Sequence, residues 1–457
     1  MKSLGNFALC LAHVGVCWLF LSHSAKAQEA GASAKPLAAQ ESSQSPPGSI
    51  QRLTLQEALA LARKNSVQFQ SAVTDSAIAR QDRWQAGAAL LPSVVYNNEA
   101  LYTQVNQNGV KFIANNAAHE YVSQANIHES IDLAGVSSFR KASALAAAAK
   151  ARAEIASRGL VVTVVQDYYS VAAAQQKLAA AQKASEEGDS FLKVTQELEK
   201  GGEVAHSDVI KAEIQAQERR RQMLEAQLGL LNARLDLAVL IFPQFNENYE
   251  VADDLHAAVP LPTLGEVQKQ AARENPNVRA ALEAARATSA DVTGARAGYL
   301  PSLSFDYWYG IDAAQFAVNG PNGVSNLGSA AAATLNIPIW NWGSTQSRIK
   351  QAELRRTQAQ RELSLAQRKL LAEIKSQYAE AETALNELGG LERSAELAAD
   401  SLRLTTLRYK GGEATVLEVV DAQTTNAQAS AAYQDGAVRY RVALANLQTL
   451  TGVLTTP

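Results

Sequence analysis

Apolar side chains recur every three or four residues in a long stretch without proline, from Ser137 to Glu199. The stretch is rich in alanine, glutamine, lysine and glutamate, which favour helix, so the pattern predicts one very long helix with an apolar stripe. The stripe consists of Val161, Val164, Tyr168, Val171 and Leu178. At about 1.5 Å per residue the helix is roughly 90 Å long. We expect it to pack against helices of similar length rather than in a globular core.

A second stretch of the same kind runs from Ser344 to Tyr409. Its stronger stripe consists of Leu371, Ile374, Tyr378, Ala381, Leu385 and Leu388. Each long helix is followed by another helical pattern with its own stripe. These stripes consist of Leu224, Leu228, Leu231 and Leu235 in the first half and of Tyr440, Leu444 and Leu447 in the second. The sequence therefore predicts two antiparallel helical hairpins.

The motifs that begin each half occur twice. A threonine and a glutamate at capping-box spacing open a helix in both halves. These pairs are Thr54 with Glu57 and Thr263 with Glu266. The first helix is predicted to continue to Leu90, and the second is predicted to be closed by Leu300-Pro301-Ser302. Leu-Pro-Ser follows both, with Pro92 and Pro301 at the predicted strand starts.

The motif Lys-Gly-Gly-Glu ends both long helices, with its glycines at Gly201 and Gly202 and at Gly411 and Gly412. A tight reversal between antiparallel helices favours a residue that can adopt a positive φ. The paired motifs lie about 209 residues apart along the chain. The sequence therefore predicts an internal repeat, with halves at residues 53–250 and 251–457.

Apolar and polar residues alternate from Ser302 to Asp312, which predicts a strand with one apolar face. That face consists of Leu303, Phe305, Tyr307, Tyr309 and Ile311. Three other segments alternate in the same way, with apolar positions at Val94, Tyr96, Ala100 and Tyr102, at Tyr121, Ala125, Ile127, Ile131 and Leu133, and at Ala331, Ala333, Leu335, Ile337 and Ile339. Polar loops at Gln107–Ala117 and Ala317–Gly328 join the four strands in pairs.

Apolar faces of this kind suit a lipid bilayer, while the polar faces suit water. The alternative is two amphipathic hairpins on a soluble core, but no further apolar layer is left to cover them. Four strands cannot close a barrel, and hydrocarbon does not tolerate an open sheet edge. If these strands cross a membrane, the chain must oligomerise.

Residues 1–27 have the pattern of a secretory signal peptide. Lys2 precedes an apolar run from Phe7 to Leu21, and Ala25-Lys26-Ala27 provides a small-residue cleavage site. Both cysteines, Cys10 and Cys17, lie within it. Residues 28–52 are predicted to form a flexible, polar leader. No later segment has eighteen consecutive apolar residues, so no transmembrane helix is expected.

The net charge of −3 argues against a nucleic-acid-binding protein, which would carry a basic face. The histidines show no metal-ligand spacing, and the chain has no nucleophile motif and no glycine-rich phosphate loop. We therefore expect no catalytic, cofactor or metal site and no enzymatic activity.

The repeated order, the signal peptide, the paired Leu-Pro-Ser motifs and the segment from Arg408 to Ala422 resemble the TolC family of outer-membrane efflux and secretion channels, over essentially all of Leu53 to Gly452. The resemblance implies a mainly α-helical fold with a membrane β-barrel. Three chains would supply four strands each to a twelve-stranded outer-membrane barrel, continued by a periplasmic tunnel of twelve helices. The implied partners are two further copies in a homotrimer, outer-membrane lipid, a periplasmic adaptor (membrane fusion) protein and an inner-membrane transporter.

The two glycine turns resemble the family's periplasmic tip, where the tunnel narrows and the adaptor docks. The resemblance implies that Asp208, Tyr409, Glu418 and Asp421 line the periplasmic aperture. Ala414 stands where some members carry an aperture arginine, which is a departure from the family's pattern. An acid near a helix N-terminus also complements the helix dipole, and this alternative is equally good for Asp208 and Glu418.

Trp340 and Trp342 lie where the last predicted strand leads into the second long helix. Tryptophan favours the membrane interface, and packing at the junction between barrel and tunnel is the alternative.

The sequence thus predicts a trimeric outer-membrane exit duct that passes small molecules from an inner-membrane pump and a periplasmic adaptor to the outside. Type I protein secretion by the same fold is an alternative that the sequence does not separate from efflux. A periplasmic coiled-coil scaffold or adaptor is an alternative of another class, which the alternating strands disfavour.

Overall fold

The computed structural model describes residues 51–103, 119–244, 246, 248–252, 255–257, 259–320 and 323–452. The predicted signal peptide, nearly all of the predicted leader and the predicted loop at Gln107–Ala117 lie outside the described residues.

The elements follow the same order in both halves. The first half contains β1 (Gln51–Leu53), α1 (Leu55–Asn65), α2 (Val67–Ala88), β2 (Ser93–Tyr102), β3 (His119–Ile131), α3 (Leu133–Lys200) and α4 (His206–Ile241). The second contains β4 (Tyr249–Val251), α5 (Leu264–Glu274), α6 (Pro276–Ala297), β5 (Ser302–Ala313), β6 (Leu327–Asn336), α7 (Ser344–Lys410) and α8 (Val416–Thr451). The short strands β1 and β4 were not predicted.

The two long helices, α3 and α7, have nearly the predicted bounds. Asp132 caps α3, because its carboxylate accepts a hydrogen bond from the Gly135 N–H at 2.5 Å. α3 packs along α4, and α7 packs along α8. The two predicted helical hairpins are thereby confirmed.

Helix α3 lies between other helices, whereas α7 lies at an edge. Towards the strands, the helices pack in the order α2, α3, α6, α7; towards the glycine turns, the order is α4, α3, α8, α7. Within the described chain, α7 therefore has a helical neighbour on one side and α3 has neighbours on both.

Each helix predicted to precede a strand is in fact two helices. The chain is extended at Ser66 and at Asn275, with ψ angles of 115° and 117°. Ser66 Oγ accepts a hydrogen bond from the Phe69 N–H at 3.3 Å. Asn275 Oδ1 accepts one from the Val278 N–H at 3.1 Å. The single-helix prediction was wrong because serine and asparagine are strong N-caps, and Pro276 disfavours helix at the residue before it.

The long strands form one antiparallel sheet in the order β2, β3, β5, β6. Because directly paired residues share a face, the register places the four predicted apolar faces on the same side of the sheet. Residues on this side include Val94, Ile127, Tyr307 and Ala331 in one row and Tyr96, Ala125 and Tyr309 in the next. Strands β2 and β6 are the two edges of this sheet.

The two faces of the sheet differ in chemistry. Phe305, Tyr307 and Tyr309 are 43%, 42% and 51% exposed on the apolar face. On the other face, His128 Nδ1 lies 2.7 Å from Asp306 Oδ1. The predicted alternation is thus confirmed for β5, and its aromatic side is uncovered within the described chain.

Two strand boundaries differ from the prediction. β3 ends at Ile131, and β6 ends at Asn336. Leu133 therefore belongs to α3, and Ile337 and Ile339 lie beyond the sheet. The cap at Asp132 begins the helix early, and Pro338 has no N–H for a strand ladder.

Part of α3 contributes to a local hydrophobic core, contrary to the prediction that its apolar stripe packs only against other helices. Val161, Val164, Tyr168 and Val171 are fully buried, in a cluster that includes residues of α1, α4 and β4. The Tyr168 hydroxyl donates to Leu53 O at 3.1 Å and to Ala252 O at 2.8 Å. The short strands β1 and β4, which the periodicity of the sequence did not reveal, cover this part of α3.

The predicted stripe on α4 faces away from the hairpin. Leu224, Leu228 and Leu231 are 59%, 58% and 42% exposed. α4 instead buries small residues such as Ala212 and Ala216, and such residues let helices approach closely. The stripe of α7 is divided, since Ile374 and Ala381 are buried while Leu371 and Leu385 are exposed. On α8, Tyr440, Leu444 and Leu447 are buried as predicted.

In the part of the chain that the structure describes, no helix is both long enough and apolar enough to span a bilayer.

Candidate functional site at the helical tip

The turn after α3 closes with two backbone hydrogen bonds. The Gly202 N–H donates to Glu199 O at 2.8 Å, and the Glu203 N–H donates to Leu198 O at 2.9 Å. This pair of bonds is the Schellman motif, which satisfies carbonyl groups left free at a helix C-terminus.

The turn after α7 has the same bonds. The Gly412 N–H donates to Tyr409 O at 3.0 Å, and the Glu413 N–H donates to Arg408 O at 2.9 Å. The two Lys-Gly-Gly-Glu motifs therefore form the same backbone structure.

The two glycines of each turn have different roles. Gly202 and Gly412 have φ angles of 78° and 76°, whereas Gly201 and Gly411 have helical φ angles of −75° and −85°. A β-carbon at Gly202 or Gly412 would meet no other atom within 4 Å. Glycine is thus needed at the second position for its backbone conformation and not for space.

The entry to α8 is capped by Thr415 and Glu418. The Glu418 N–H donates to Thr415 Oγ1 at 3.3 Å, and the Glu418 carboxylate accepts from the Thr415 N–H at 3.1 Å. Arg408 Nη1 lies 3.4 Å from the same carboxylate. The bonds from the Thr415 backbone and hydroxyl, with a smaller effect of Arg408, lower the pKa of Glu418. This geometry is the capping box, so Glu418 stabilises the helix start.

The corresponding entry to α4 lacks that box. Ala205 takes the cap position and makes no side-chain hydrogen bond. Asp208 lies in the first turn and pairs with Lys211 at 3.3 Å. His206 Nδ1 lies 2.7 Å from Glu199 Oε1 across the turn. Asp208 therefore has a cationic neighbour in place of a capping partner.

Tyr409 lies in a small core that joins the two hairpin tips. It is 3% exposed, its ring centroid is 5.0 Å from that of Phe191, and its hydroxyl donates to Thr195 Oγ1 at 3.1 Å. Burial raises the pKa of Tyr409, and the negative charge of Asp208 adds to the increase. Ala212, Val416 and Val419 complete the buried set, which we call the tip core.

Of the four predicted aperture residues, Asp208 and Tyr409 come close enough to interact electrostatically, and Glu418 lies in the capping box. Asp421 is exposed on α8, beyond Glu418. Their role in an aperture stays a prediction.

The predicted aromatic pair lies at the other end of α7. Trp340 and Trp342 are 75% and 88% exposed, with ring centroids 5.8 Å apart. Trp342 has a φ of 56°, and Gly343 after it has a φ of 79°. β2 and β5 begin directly after Pro92 and Pro301.

The profile of the outer membrane efflux protein family matches residues 58–241 and 267–453. The chain belongs to this family. Its membership confirms the family and the outer-membrane location that the sequence predicted.

The relatives of this chain include proteins named as outer membrane proteins and proteins named for protease secretion. The chain is 27% identical over 175 residues to outer membrane protein OprJ of Pseudomonas aeruginosa, a match covering 38% of this chain and 36% of OprJ. It is 24% identical over 412 residues to alkaline protease secretion protein AprF of the same organism, covering 86% and 83%. The fold matches the outer membrane protein VceC of Vibrio cholerae with a TM-score of 0.75 and 18% identity, over 87% of this chain and 96% of VceC.

Sequence reasoning missed the residues that hold Tyr409. Thr195 and Phe191 lie on α3, far from Tyr409 in sequence, and no local motif marks them. The capping box at Thr415 and Glu418 has the same threonine-to-glutamate spacing as Thr54 and Glu57. This capping box could therefore have been predicted from the sequence.

Proposed function

We propose that the chain is one subunit of a homotrimeric outer-membrane channel that provides the exit duct of a tripartite efflux system. The observation that carries the proposal is the four-stranded sheet, with one aromatic face and edges at β2 and β6. Edge strands in hydrocarbon leave backbone groups unpaired. Three copies would pair these edges and close a twelve-stranded barrel with its apolar face towards lipid.

The uncovered helical stripes support a homotrimer. Leu224, Leu228 and Leu231 are exposed on α4, and Leu397, Leu404 and Leu407 are exposed on α7. These two helices lie at opposite ends of the helix order at the glycine turns. A contact between α7 of one copy and α4 of the next is heterologous and closes a ring when the rotation fits. It would bury leucines that one chain leaves in water.

The tip core supports assignment of the glycine turns to the periplasmic end, where an adaptor docks. Both turns lie at the end of the hairpins, whereas the sheet lies at the far end of α7. We infer that Asp208, Glu418 and Asp421 of three copies line the aperture, and that Tyr409 positions α7 against α3 through Thr195. An inner-membrane transporter would deliver the substrate through the adaptor.

The matched order of elements supports two repeats, at residues 53–250 and 251–457. Each would contribute one strand hairpin to the barrel and one helical hairpin to the tunnel. Trp340 and Trp342 would lie at the periplasmic membrane interface, consistent with their exposure.

Extraction and mass measurement test the proposal. The protein should leave membranes only with detergent, and its mass in detergent should be that of a trimer. Leu224→Glu with Leu228→Glu should yield folded monomers, because charges replace the exposed stripe. Gln227→Glu with Asn232→Asp, on the same exposed helix, is the matched control and should remain trimeric. A monodisperse wild-type monomer without detergent would favour the periplasmic scaffold instead.

Type I protein secretion is a second candidate, favoured by the match to AprF over 86% of the chain. Deletion in the host distinguishes the two. Efflux predicts increased sensitivity to toxic small molecules with normal protein export, and secretion predicts loss of an exported protein with normal sensitivity.

A further inference from the structure

Two arginines occupy equivalent positions in the two long helices. The apolar stripes of α3 and α7 match at an offset of 210 residues, which pairs Val161 with Leu371, Val164 with Ile374 and Tyr168 with Tyr378. At the same offset, Arg158 of α3 corresponds to Arg368 of α7. Because the offset is the same, each arginine lies at the same angle around its helix relative to the buried residue of its stripe, Val164 or Ile374.

Arg158 joins α3 to two helix ends in the other half of the chain. Its side chain is buried, and Nη1 donates to Thr449 O at 2.5 Å and to Leu450 O at 3.2 Å, in the last turn of α8. Nη2 donates to Glu274 O at 3.1 Å, at the end of α5. Carbonyl groups in the last turn of a helix have no partner within the helix, and a cation is favourable there. Arg158 therefore satisfies the end of α8.

Arg368 makes no such contact within the described chain. Its side chain is exposed, and its Nε donates to Ser364 O of the same helix at 3.4 Å. α3 has helices on both sides, whereas α7 lies at the edge of the helix order. The side of α7 that carries Arg368 therefore corresponds to a side of α3 that is covered.

The helix end that corresponds to the binding site of Arg158 is open. Helices α4 and α8 both have 36 residues and match at the same offset, so Val239 and Leu240 of α4 correspond to Thr449 and Leu450 of α8. Among the described residues, no donor binds Val239 O or Leu240 O. Val239 is also 69% exposed. The carbonyl groups that an arginine satisfies in α8 are thus free in α4.

The two helix ends are otherwise closed in the same way. The Phe242 N–H donates to Ala238 O at the end of α4, and the Gly452 N–H donates to Gln448 O at the end of α8. Ala238 and Gln448 also correspond at the common offset. The free carbonyl groups of α4 therefore lie in the same backbone setting as those that Arg158 binds.

We propose that Arg368 of one copy binds Val239 O and Leu240 O at the end of α4 in the next copy. This Arg368 contact repeats, between copies, the contact that Arg158 makes within one chain. The inference rests on the proposed homotrimer, and it adds the residues that set the register of α7 on the neighbouring α4. A ring of three copies contains three such contacts.

A companion ion pair within the chain has no counterpart in the Arg368 contact. Glu154 binds Arg158 at 2.7 Å and also binds Arg279 of α6. Glu154 corresponds to Ser364 at the offset of 210 residues, and Arg279 corresponds to Gln70 because α2 and α6, each of 22 residues, match at an offset of 209. The missing pair can therefore be introduced by two substitutions.

Removal of the arginine tests the contact in the full-length protein in detergent. Arg368→Ala should make trimers dissociate about tenfold faster or more, because hydrogen bonds from a charged donor are lost at each of the interfaces. Its circular dichroism spectrum should be that of the wild type, since Arg368 is exposed in the single chain. Arg355→Ala is the matched control. Arg355 is also exposed on α7, but it lies about 140° around the helix from Arg368.

Introduction of the companion pair should have the opposite effect. Ser364→Glu combined with Gln70→Arg should slow dissociation relative to the wild type, by more than the two single substitutions together. Additive single effects would contradict the predicted proximity of α7 to the neighbouring α2.

Cross-linking measures the contact directly. Within one chain, α3 and α8 separate α4 from α7, so Arg368 and Val239 lie about 24 Å or more apart. Arg368→Cys with Val239→Cys should therefore be joined only between copies by a short bifunctional thiol reagent. Arg355→Cys with Val239→Cys is the control and should remain uncross-linked.

The outcomes separate this contact from the homotrimer. Trimers that lack the cross-link, or Arg368→Ala trimers that dissociate at the wild-type rate, would overturn the Arg368 contact and retain the homotrimer. A wild-type protein that is monomeric in detergent would overturn both.

Discussion

Helices α3 and α7 have 68 and 67 residues and take the same place in the two halves, yet α3 buries 18 residues and α7 buries nine. α3 has helices on both sides and is rich in alanine where they approach. α7 lies at an edge and exposes leucines. Helices of equal length and equal place in the chain therefore have different environments, and more of the packing within the described chain is made by α3 than by α7.

The largest expected effect is at the core face of α3. Tyr168→Ala removes a buried ring and the hydroxyl that donates to Leu53 O and Ala252 O, although Leu53 O keeps its bond from the Ala252 N–H at 2.9 Å. We therefore expect a loss of about 3–5 kcal/mol in unfolding free energy. Leu371→Ala on the exposed side of α7 should change protomer stability by less than about 1 kcal/mol. Chemical denaturation in detergent, followed by circular dichroism, measures both. Equal losses would contradict the contrast between the helices.

A smaller effect is expected at the turns. Gly202→Val and Gly412→Val impose a left-handed backbone on a β-branched residue, at a cost of roughly 1–2 kcal/mol or more each. The trimer should still insert, while adaptor binding is lost. Gly201→Ala and Gly411→Ala are the controls, since their φ angles are already helical. Normal adaptor binding by both valine variants would remove the turns from the docking site.

The pH dependence of stability should differ between two acids, Asp167 on α3 and Glu418 in the first turn of α8. Burial, with repulsion from Asp236, raises the pKa of Asp167 to about 6. The folded state then binds this proton more tightly than the unfolded state, so stability falls as pH rises from about 4 to 6. Asp167→Asn should abolish that decrease. Denaturation midpoints across this range measure it, and an unchanged slope would mean that Asp167 is not the titrating group.

Glu418 should behave in the opposite sense, because its pKa is lowered. Its stabilisation is present above the ordinary value of 4.5 and is lost as pH falls below it. Glu418→Gln should therefore reduce the loss of stability as the pH falls below 4.5 and leave the stability near pH 6 unchanged in its pH dependence.

The smallest effect concerns the cap that one hairpin has and the other lacks. Thr415→Ala should cost about 1 kcal/mol at the start of α8. Ala205→Thr with Asp208→Glu should give α4 the missing box and slow amide exchange in its first turn. If Thr415→Ala leaves exchange in the first turn of α8 unchanged, the capping box does not stabilise the tip.

Local rules predicted much of this architecture. Three-residue and four-residue spacing gave α3 and α7 to within a few residues, and alternation gave the apolar face of the sheet. The contacts that depend on distant segments were inaccessible: no periodicity announces that Tyr168 binds Leu53 and Ala252, or that Tyr409 binds Thr195. The leucines of α4 were predicted to pack within the hairpin, but they are exposed. An apolar stripe indicates that a helix has a packing partner, but it does not identify that partner.

Cysteine cross-linking between the sheet edges tests the trimeric channel most directly. Within one chain, β3 and β5 separate β2 from β6, so the edges are about 14 Å apart, too far for a disulfide. Cysteines scanned along Val95 and Asn97 of β2 and Gly328 and Ala330 of β6 can therefore join only different chains. The account predicts covalent dimers and trimers in membranes, from oxidation at one or more position pairs. Monomers alone at every pair, with the protein folded and membrane-inserted, would contradict it.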